Sequence, residues 1–312
     1  MKIIISRTDN LGDVILTLPL ALRLKKLYPQ CQLGFIGKTY TRPLIELCPA
    51  IDEFINCDQL SSDLKADLIL HVFPNRKIQK LARQIPLRIG SARRWRHWLS
   101  CNRLVFFSRK KSSLHEAQLN FYLLKPLLEK FAIPSLAELK TLPTLNADDL
   151  PADPHVQQFL HPHKINLILH PLSNLSAPEW GQENFSTLIE KLDAKKYQIL
   201  ITGTQQEGQR LQEKILIPHQ HKVIDTTGKL TLTQLISLIN GAHGLIAAST
   251  GPLHISAALG KPTLGLFVDQ PIIGPQRWAP LGPQAEVLCA PAGSALSQIS
   301  VDSVLRWIDC TI

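Results

Sequence analysis

A chain of 312 residues is long for one domain and sufficient for two, each with a core of its own. Hydrophobic residues at 45% and charged residues at 19%, with 16 Gly and 22 Pro spread along the chain, exclude a disordered or fibrous protein. The 34 Lys and Arg against 25 Asp and Glu leave a net charge of +9, which favours an anionic partner: nucleic acid, phosphorylated lipid and nucleotide-sugar all fit.

Residues 2–6 (KIIIS) are a short β-rich run ending in the polar RTDNLGD, and the leucine-rich 14–28 predicts a helix that Pro19 must kink or restart. A strand at 33–36 stops at Gly37, a helix covers 41–47 and a strand follows at 67–72. Elements alternating at this length imply a parallel sheet covered by helices. From 86 to 111, Arg88, Arg93, Arg94, Arg96, Arg103, Arg109, Lys110 and Lys111 occur with Trp95 and Trp98 and without one acidic residue, which predicts a basic surface loop. A helix over 114–130 closes the first half. Pro134, Pro143, Pro151 and Pro154, set among polar residues, mark an interdomain linker.

The second half alternates more regularly. A strand at 166–170 leads through PLSNLSAPEWG to a helix at 183–192, a strand at 198–202, a loop GTQQEG, a helix to 214 and a strand at 222–225. Thr231 with Gln234 three positions on predicts a capping box for a helix over 232–239. A strand at 245–248 runs into STGP and a helix containing 254–259, and a strand at 263–268 follows. The last helix, 296–309, carries Leu296, Ile299, Val301, Val304, Leu305 and Ile308 on its apolar face. Two α/β domains are expected, over 1–150 and 151–312, with the last helix a candidate to pack back on the first.

No apolar run approaches the roughly 20 residues that cross hydrocarbon, and MKIIISRTD at 1–9 is too short in apolar residues for a signal peptide. A cytoplasmic protein without a membrane span is expected. Cys31, Cys48, Cys57, Cys101, Cys289 and Cys310 form no CxxC and are expected as free, mostly core thiols. There is no GxGxxG, GxxxxGK[ST] or HExxH, and no cysteine pair completes a metal site around His161, His163, His219 or His221. No dinucleotide, Walker-type or metal site is expected.

Open parallel sheets take ligands at the carboxyl ends of their strands, and two such domains facing each other make a cleft. Asn10-Leu11-Gly12-Asp13 lies at such an end, where Gly12 allows close backbone approach. Asp13 at the helix start is either a cap or, with a raised pKa, a general base for an attacking sugar hydroxyl. Ser249-Thr250-Gly251-Pro252 leaves a strand and enters a helix, forming either an ordinary capped start or a phosphate site. His254 is a phosphate donor or a structural histidine, and Ser173 and Asn174 offer a hydroxyl and an amide to the opposite side of that pocket. Glu207 is a ribose ligand or an ordinary surface acid. The basic stretch is a solvated surface, a contact for phosphorylated glycolipid or a nucleic-acid site.

IIISRTDNLGDVILTLPLALRLKKLYPQCQLGFIG, LIELCPAIDEFI, PLRIG at 86–90, HEAQLNFYLL at 115–124, HPLS at 170–173, ITGTQQE at 201–207, DTTGKLTLTQLISLI at 225–239 and STGPLHISAALGKPTLGLF at 249–267 follow in order along nearly the whole chain. The ordered set resembles the ADP-heptose:lipopolysaccharide heptosyltransferase family, glycosyltransferase family 9. The resemblance implies two Rossmann-like domains in the GT-B arrangement, facing across a cleft, with an acceptor-binding N-terminal half and a donor-binding C-terminal half. It implies metal-independent, inverting transfer of heptose from ADP-heptose to the lipopolysaccharide inner core, with no cofactor beyond the nucleotide-sugar substrate.

By the same resemblance Asp13 is the general base and Glu207 holds the donor's ribose. Ser249, Thr250, Gly251 and His254 fall around the donor diphosphate, with Ser173, Asn174, Thr227 and Gly228 completing the donor set. Asn10, Gly12, Arg88, Arg93, Arg94 and Arg96 are assigned to the phosphorylated lipid A and inner-core acceptor, with Trp95 or Trp98 at the membrane interface. A cytoplasmic monomer, touching the inner membrane peripherally and binding no nucleic acid, is expected.

Three positions depart from the family pattern. Leu172 follows His170-Pro171 where glycine is common, Pro178 replaces a lysine two positions before Trp180, and Ser249 replaces an aspartate. A cation and a carboxylate are thereby missing from the diphosphate region, and Arg277 and Lys261 are candidates to supply the charge. Two further readings stay open: a family member using another nucleotide-sugar, and a non-catalytic binding or assembly protein that keeps the fold.

Overall fold

Short runs of Ile, Leu and Val without polar alternation make strands buried on both faces, and in this chain they build two parallel sheets. The computed structural model describes residues 1–61, 64–148, 150 and 153–312. These fall into two units, Met1–Asn146 and Ala147–Ile312. Pro151, one of the linker prolines and the first residue of the expected second domain, lies outside the described residues.

The first unit holds β1 (Lys2–Ser6), β2 (Gln32–Gly37), β3 (Glu53–Asn56), β4 (Leu68–His71), β5 (Leu87–Ser91) and β6 (Arg103–Val105), ordered β3-β2-β1-β4-β5-β6. The second holds β7 (Ile165–His170), β8 (Tyr197–Ile201), β9 (Val223–Asp225), β10 (Gly244–Ala248), β11 (Thr263–Phe267) and β12 (Ala285–Cys289), ordered β12-β11-β10-β7-β8-β9. Both sheets have one topology: the first strand is central, two strands extend to one side and three to the other. This is the Rossmann order, and the two lobes are those of the GT-B architecture. The order reverses between β1 and β4 and between β7 and β10, and the carboxyl ends of these pairs are the ligand crevices of such sheets.

Helices in the first unit are α1 (Leu11–Ile15), α2 (Leu18–Leu27), α3 (Arg42–Glu46), α4 (Arg76–Leu81), α5 (Trp95–Trp98), α6 (Glu116–Phe121) and α7 (Leu136–Lys140). Those in the second are α8 (Pro154–Gln157), α9 (Gln182–Lys191), α10 (Gln205–Leu211), α11 (Leu232–Gly241), α12 (Gly251–Ala258), α13 (Pro275–Trp278) and α14 (Val301–Thr311). The helix expected over 14–28 is two helices. Pro19 sits in the first turn of α2, where its missing N–H costs nothing, and the break falls just before it. The Thr231–Gln234 capping box forms at the start of α11.

The expected basic loop is a correction. Leu87-Arg88-Ile89 and Leu104-Val105 carry enough apolar surface to extend the sheet, pairing Ile89 with Arg103, and α5 lies between them. Arg88 contributes to that connection: its Nε donates to Ser100 O at 2.8 Å and its Nη1 to Ile85 O. The strands β3 and β12 are absent from the sequence pattern because both are short sheet-edge strands, in which a half-exposed, partly charged run carries little periodicity.

The last helix belongs to the second unit. Its apolar face enters the core of the second unit, where Val304, Trp307 and Ile308 pack with Trp180, Phe185 and Leu188, and Lys191 of α9 pairs with Asp302 at 2.7 Å. Its hydrophobic stripe is consumed there. Cys31, Cys48, Cys57 and Cys101 are buried, Cys289 and Cys310 are exposed, and all six are free thiols. Among the described residues no helix is long and apolar enough to cross a membrane.

Candidate active site

In the first unit the chain leaves β1 at Ser6 and enters α1 through Arg7-Thr8-Asp9-Asn10, so Asp13 falls in the first helical turn at the β1/β4 reversal. Asn10 is the extended N-cap, and its backbone N–H lowers the pKa of the Asp13 carboxyl three positions on. Capping and a chemical role are therefore compatible at this residue. Asn10 and Gly12 flank it in the same turn.

Asp13 belongs to a buried network of charge. Arg7 donates through Nε and Nη2 to Asp9 at 2.8 and 3.1 Å, through Nη2 to Asp13 Oδ1, and through Nη1 to Glu116 at 3.2 Å and Asn120 at 3.3 Å. Arg109 donates to the same Glu116 oxygen and, at 3.0 Å, to Asn120 Oδ1. Asn120 Nδ2 in turn donates to Leu16 O at 3.0 Å, which ties α6 to the break between α1 and α2. Side-chain exposure is 3% for Arg7, 2% for Glu116 and 15% for Asp13.

Burial pushes the Asp13 carboxyl up to about 6; Arg7 opposes this, while Asp9 and Glu116 add to it. Burial also disfavours the charge on Arg7, but its three carboxylate partners outweigh that and raise its pKa. A carboxyl that ionises near pH 6 is a stronger base than an ordinary one and is still ionised at neutral pH.

Sequence reasoning passed over Arg7, Asp9, Arg109, Glu116 and Asn120 as site residues. Glu116 and Asn120 sit four apart on α6, the helical spacing that places two polar groups on one face, and all six residues of this helix are buried. That pattern was the available signal.

Arg93, Arg94 and Arg96 gather at α5, with Arg94 over the Phe73 ring at 5.0 Å and Arg96 over the Trp95 ring at 5.3 Å. Beside them Trp95, Trp98, Leu99 and Phe106 are 57–73% exposed, an unusual concentration of apolar side chains at the surface.

In the second unit the β7/β10 reversal brings together the loops after both strands. Ser173 turns inward: its N–H donates to Glu179 Oε1 at 2.9 Å, and its hydroxyl donates to Ala177 O at 2.7 Å. Glu179 Oε2 accepts from Arg210 of α10 at 3.3 Å. Asn174 and Leu175 have φ of 46° and 62°, so they hold the loop's exposed tip in the left-handed region. Pro178 and Ser249 lie at the two loops, and an arginine and a glutamate that sequence reasoning missed stand beside the first.

Glu207 is not a surface acid. It is buried at the start of α10, where its Oε2 accepts the Thr204 N–H at 2.7 Å and Thr204 Oγ1 accepts the Glu207 N–H at 3.2 Å. Thr227 donates its N–H and hydroxyl to Asp225 at 2.9 and 2.7 Å. Gly228, at φ 68°, donates its N–H to Gly203 O at 2.9 Å. A Cβ on Gly208 would press on Thr227 Oγ1 and come within 2.8 Å of Thr227 Cβ. Gly208→Ala is therefore expected to displace Thr227 and lower stability by about 1–3 kcal/mol, read from urea unfolding; an unchanged midpoint would show that Thr227 gives way freely.

Thr250 is the extended N-cap of α12, with Pro252 in the first turn. Its hydroxyl is buried and has no hydrogen-bond partner among the described residues. First-turn N–H groups of a helix and an unpaired hydroxyl suit an anion. Ser249 and Gly251 flank Thr250, and His254 is buried in the same helix. Lys261 follows the opposite end of α12, and Arg277 lies on α13 over the Trp278 ring at 5.5 Å. Among the described residues no group of three His, Cys, Asp or Glu side chains is placed to hold one metal ion.

A candidate glycosyltransferase of Haemophilus influenzae is 28% identical over 338 aligned residues, covering 100% of this chain and 96% of its own. Lipopolysaccharide heptosyltransferase 3 of Escherichia coli is 24% identical over 288 residues, covering 82% of this chain and 80% of its own. The solved structure of E. coli ADP-heptose LPS heptosyltransferase II aligns with a TM-score of 0.80 at 18% identity, covering 100% of this chain and 98% of that one, so the two share the fold. The family model of glycosyltransferase family 9 (heptosyltransferase) matches residues 80–307, more than half of the sequence, and the chain belongs to that family.

Proposed function

We propose that the protein is an inverting, metal-independent glycosyltransferase that moves a heptose from ADP-heptose to the phosphorylated inner core of lipopolysaccharide. The observation that carries this reading is the mostly buried Asp13 carboxylate in the helix turn after β1, at the sheet reversal of the first unit, where burial raises its pKa. Asp13 takes the proton of an acceptor hydroxyl, the freed oxygen attacks the anomeric carbon, and the bond to ADP breaks with inversion. Asn10, Gly12, Arg93, Arg94 and Arg96 bind the acceptor, while Arg88, whose guanidinium is engaged by Ser100 O and Ile85 O, braces the segment that carries them, so that the 1–150 region serves the acceptor and 151–312 the donor.

Departing ADP is stabilised by the first-turn N–H groups of α12 with Thr250, flanked by Ser249 and Gly251, and by His254. Ser173, Asn174, Thr227 and Gly228 shape the remaining donor site. Glu207 holds the ribose through the carboxylate oxygen that its capping box leaves over. The exposed Trp95, Trp98, Leu99 and Phe106 beside Arg93 and Arg94 suit contact with an anionic bilayer surface, which is where a lipid-borne acceptor resides. Peripheral contact of a cytoplasmic protein with the inner membrane is part of this reading, with the chain acting as a monomer.

Titration calorimetry with ADP, ADP-heptose and a UDP-sugar, followed by assay of ADP release on adding a lipid A and inner-core acceptor, tests the proposal. Selective binding of ADP-heptose with acceptor-dependent release is the expected result. Release from another donor alone would assign a different nucleotide-sugar, which the substitution of Ser249 near the diphosphate makes the main competing outcome. No nucleotide binding would assign a non-catalytic protein that keeps the fold.

A further inference from the structure

An arginine paired with a single carboxylate pulls that group's pKa down and makes it a poor base. Arg7 is not so paired. Its guanidinium is divided among Asp9, Asp13 and Glu116, and Glu116 is itself divided between Arg7 and Arg109. In this cluster two guanidinium groups meet three carboxylates, so one negative charge is in surplus. Tyr40 also faces it, donating its hydroxyl to Asp9 O at 2.9 Å, while His115 at the start of α6 is turned into its own helix cap, accepting the Ala117 N–H at 3.3 Å. Glu116 and Arg109 come from segments about a hundred residues beyond Asp13, and neither is hydrogen-bonded to it in the contacts described above.

We propose that Glu116 and Arg109 are positioning residues: Glu116 draws Arg7 away from exclusive pairing with Asp13, Arg109 limits how far it does so, and the chain of charge thereby sets how readily Asp13 takes a proton. The proposal rests on Asp13 acting as the base. Without the Glu116 charge, Arg7 acts on Asp9 and Asp13 alone and stabilises the Asp13 carboxylate more strongly. Without Arg109, the Glu116 charge is less compensated and Asp13 holds its proton to higher pH.

The test is the pH profile of acceptor-dependent ADP release in Glu116→Gln and Arg109→Met, each first checked for a parental circular dichroism spectrum. The acid limb is expected to move down by about one pH unit in Glu116→Gln and up by about one unit in Arg109→Met. Arg109→Lys is expected to restore the parental limb. Should Glu116→Gln fail to fold, Glu116→Asp, whose shorter reach loosens the contact with Arg7, is expected to move the limb the same way by less. A merely structural role predicts equal losses with unmoved limbs. Unmoved limbs or shifts of one sign overturn the proposal. Asp13→Asn separates this from failure of the base itself: if that variant keeps turnover, the base reading falls, and if it loses turnover while the limbs stay put, only the positioning role falls.

Discussion

Asparagine at position 13 is expected to lower turnover by about 10²- to 10⁴-fold while ADP binding stays at the parental level. The substitution is nearly isosteric. The amide oxygen of Asp13→Asn still accepts from Arg7, so the side chain keeps its place in the cluster. What disappears is proton affinity, since an amide cannot take the acceptor's hydroxyl proton. In the parent the active form is the carboxylate, so turnover rises as pH increases through about 6 and levels above it. The variant has no such limb. Turnover within tenfold of the parent, with the limb still present, would place the base elsewhere.

Removing the central cation is expected to give the largest loss of stability. Arg7→Met fills similar volume but takes from the buried Glu116 one of its arginine partners, leaving it on Arg109, and leaves Asp13 beside Asp9 with no cation between them. Breaking a buried ion pair from one side costs about 3–5 kcal/mol, because the stranded charge is not resolvated. Urea unfolding at pH 7 reads this. The pH dependence has a definite sign. Without Arg7 the folded-state pKa of Asp13 rises above the parental value of about 6, so between pH 7 and 5 the folded variant binds more protons than the folded parent, and its deficit shrinks as pH falls across that window. A deficit under 1 kcal/mol, or one constant over that window, would mean that the carboxylates find compensation without Arg7.

Local structure was legible wherever neighbours within four positions decide it. Ile3 to Ile5 form a central strand because the run is apolar on both faces, the Thr231–Gln234 pair caps its helix, and Ser249-Thr250-Gly251-Pro252 turns a strand into a helix. The alternation of such segments sufficed for two α/β lobes, and the polar turn at Asn10 to Asp13 pointed to one end of the first sheet. These are short-range effects of periodicity and capping, which the sequence carries on its face.

Tertiary structure decided the rest. Arg7 and Glu116 lie 109 positions apart and meet because α6 packs at the end of β1, through Asn120 and the break before α2. Arg109 was placed in a basic surface loop, yet burial beside Glu116 makes it part of the site, and Arg88 from the same stretch braces the backbone between β5 and β6. Between the two readings of Glu207, ribose ligand or surface acid, its burial at the start of α10 removes the second. For the arginines and Glu116 the reason is common. A charged residue's environment is set by which remote groups the strand order brings within hydrogen-bonding distance, and long-range pairing leaves no periodic trace in the segment that carries the charge.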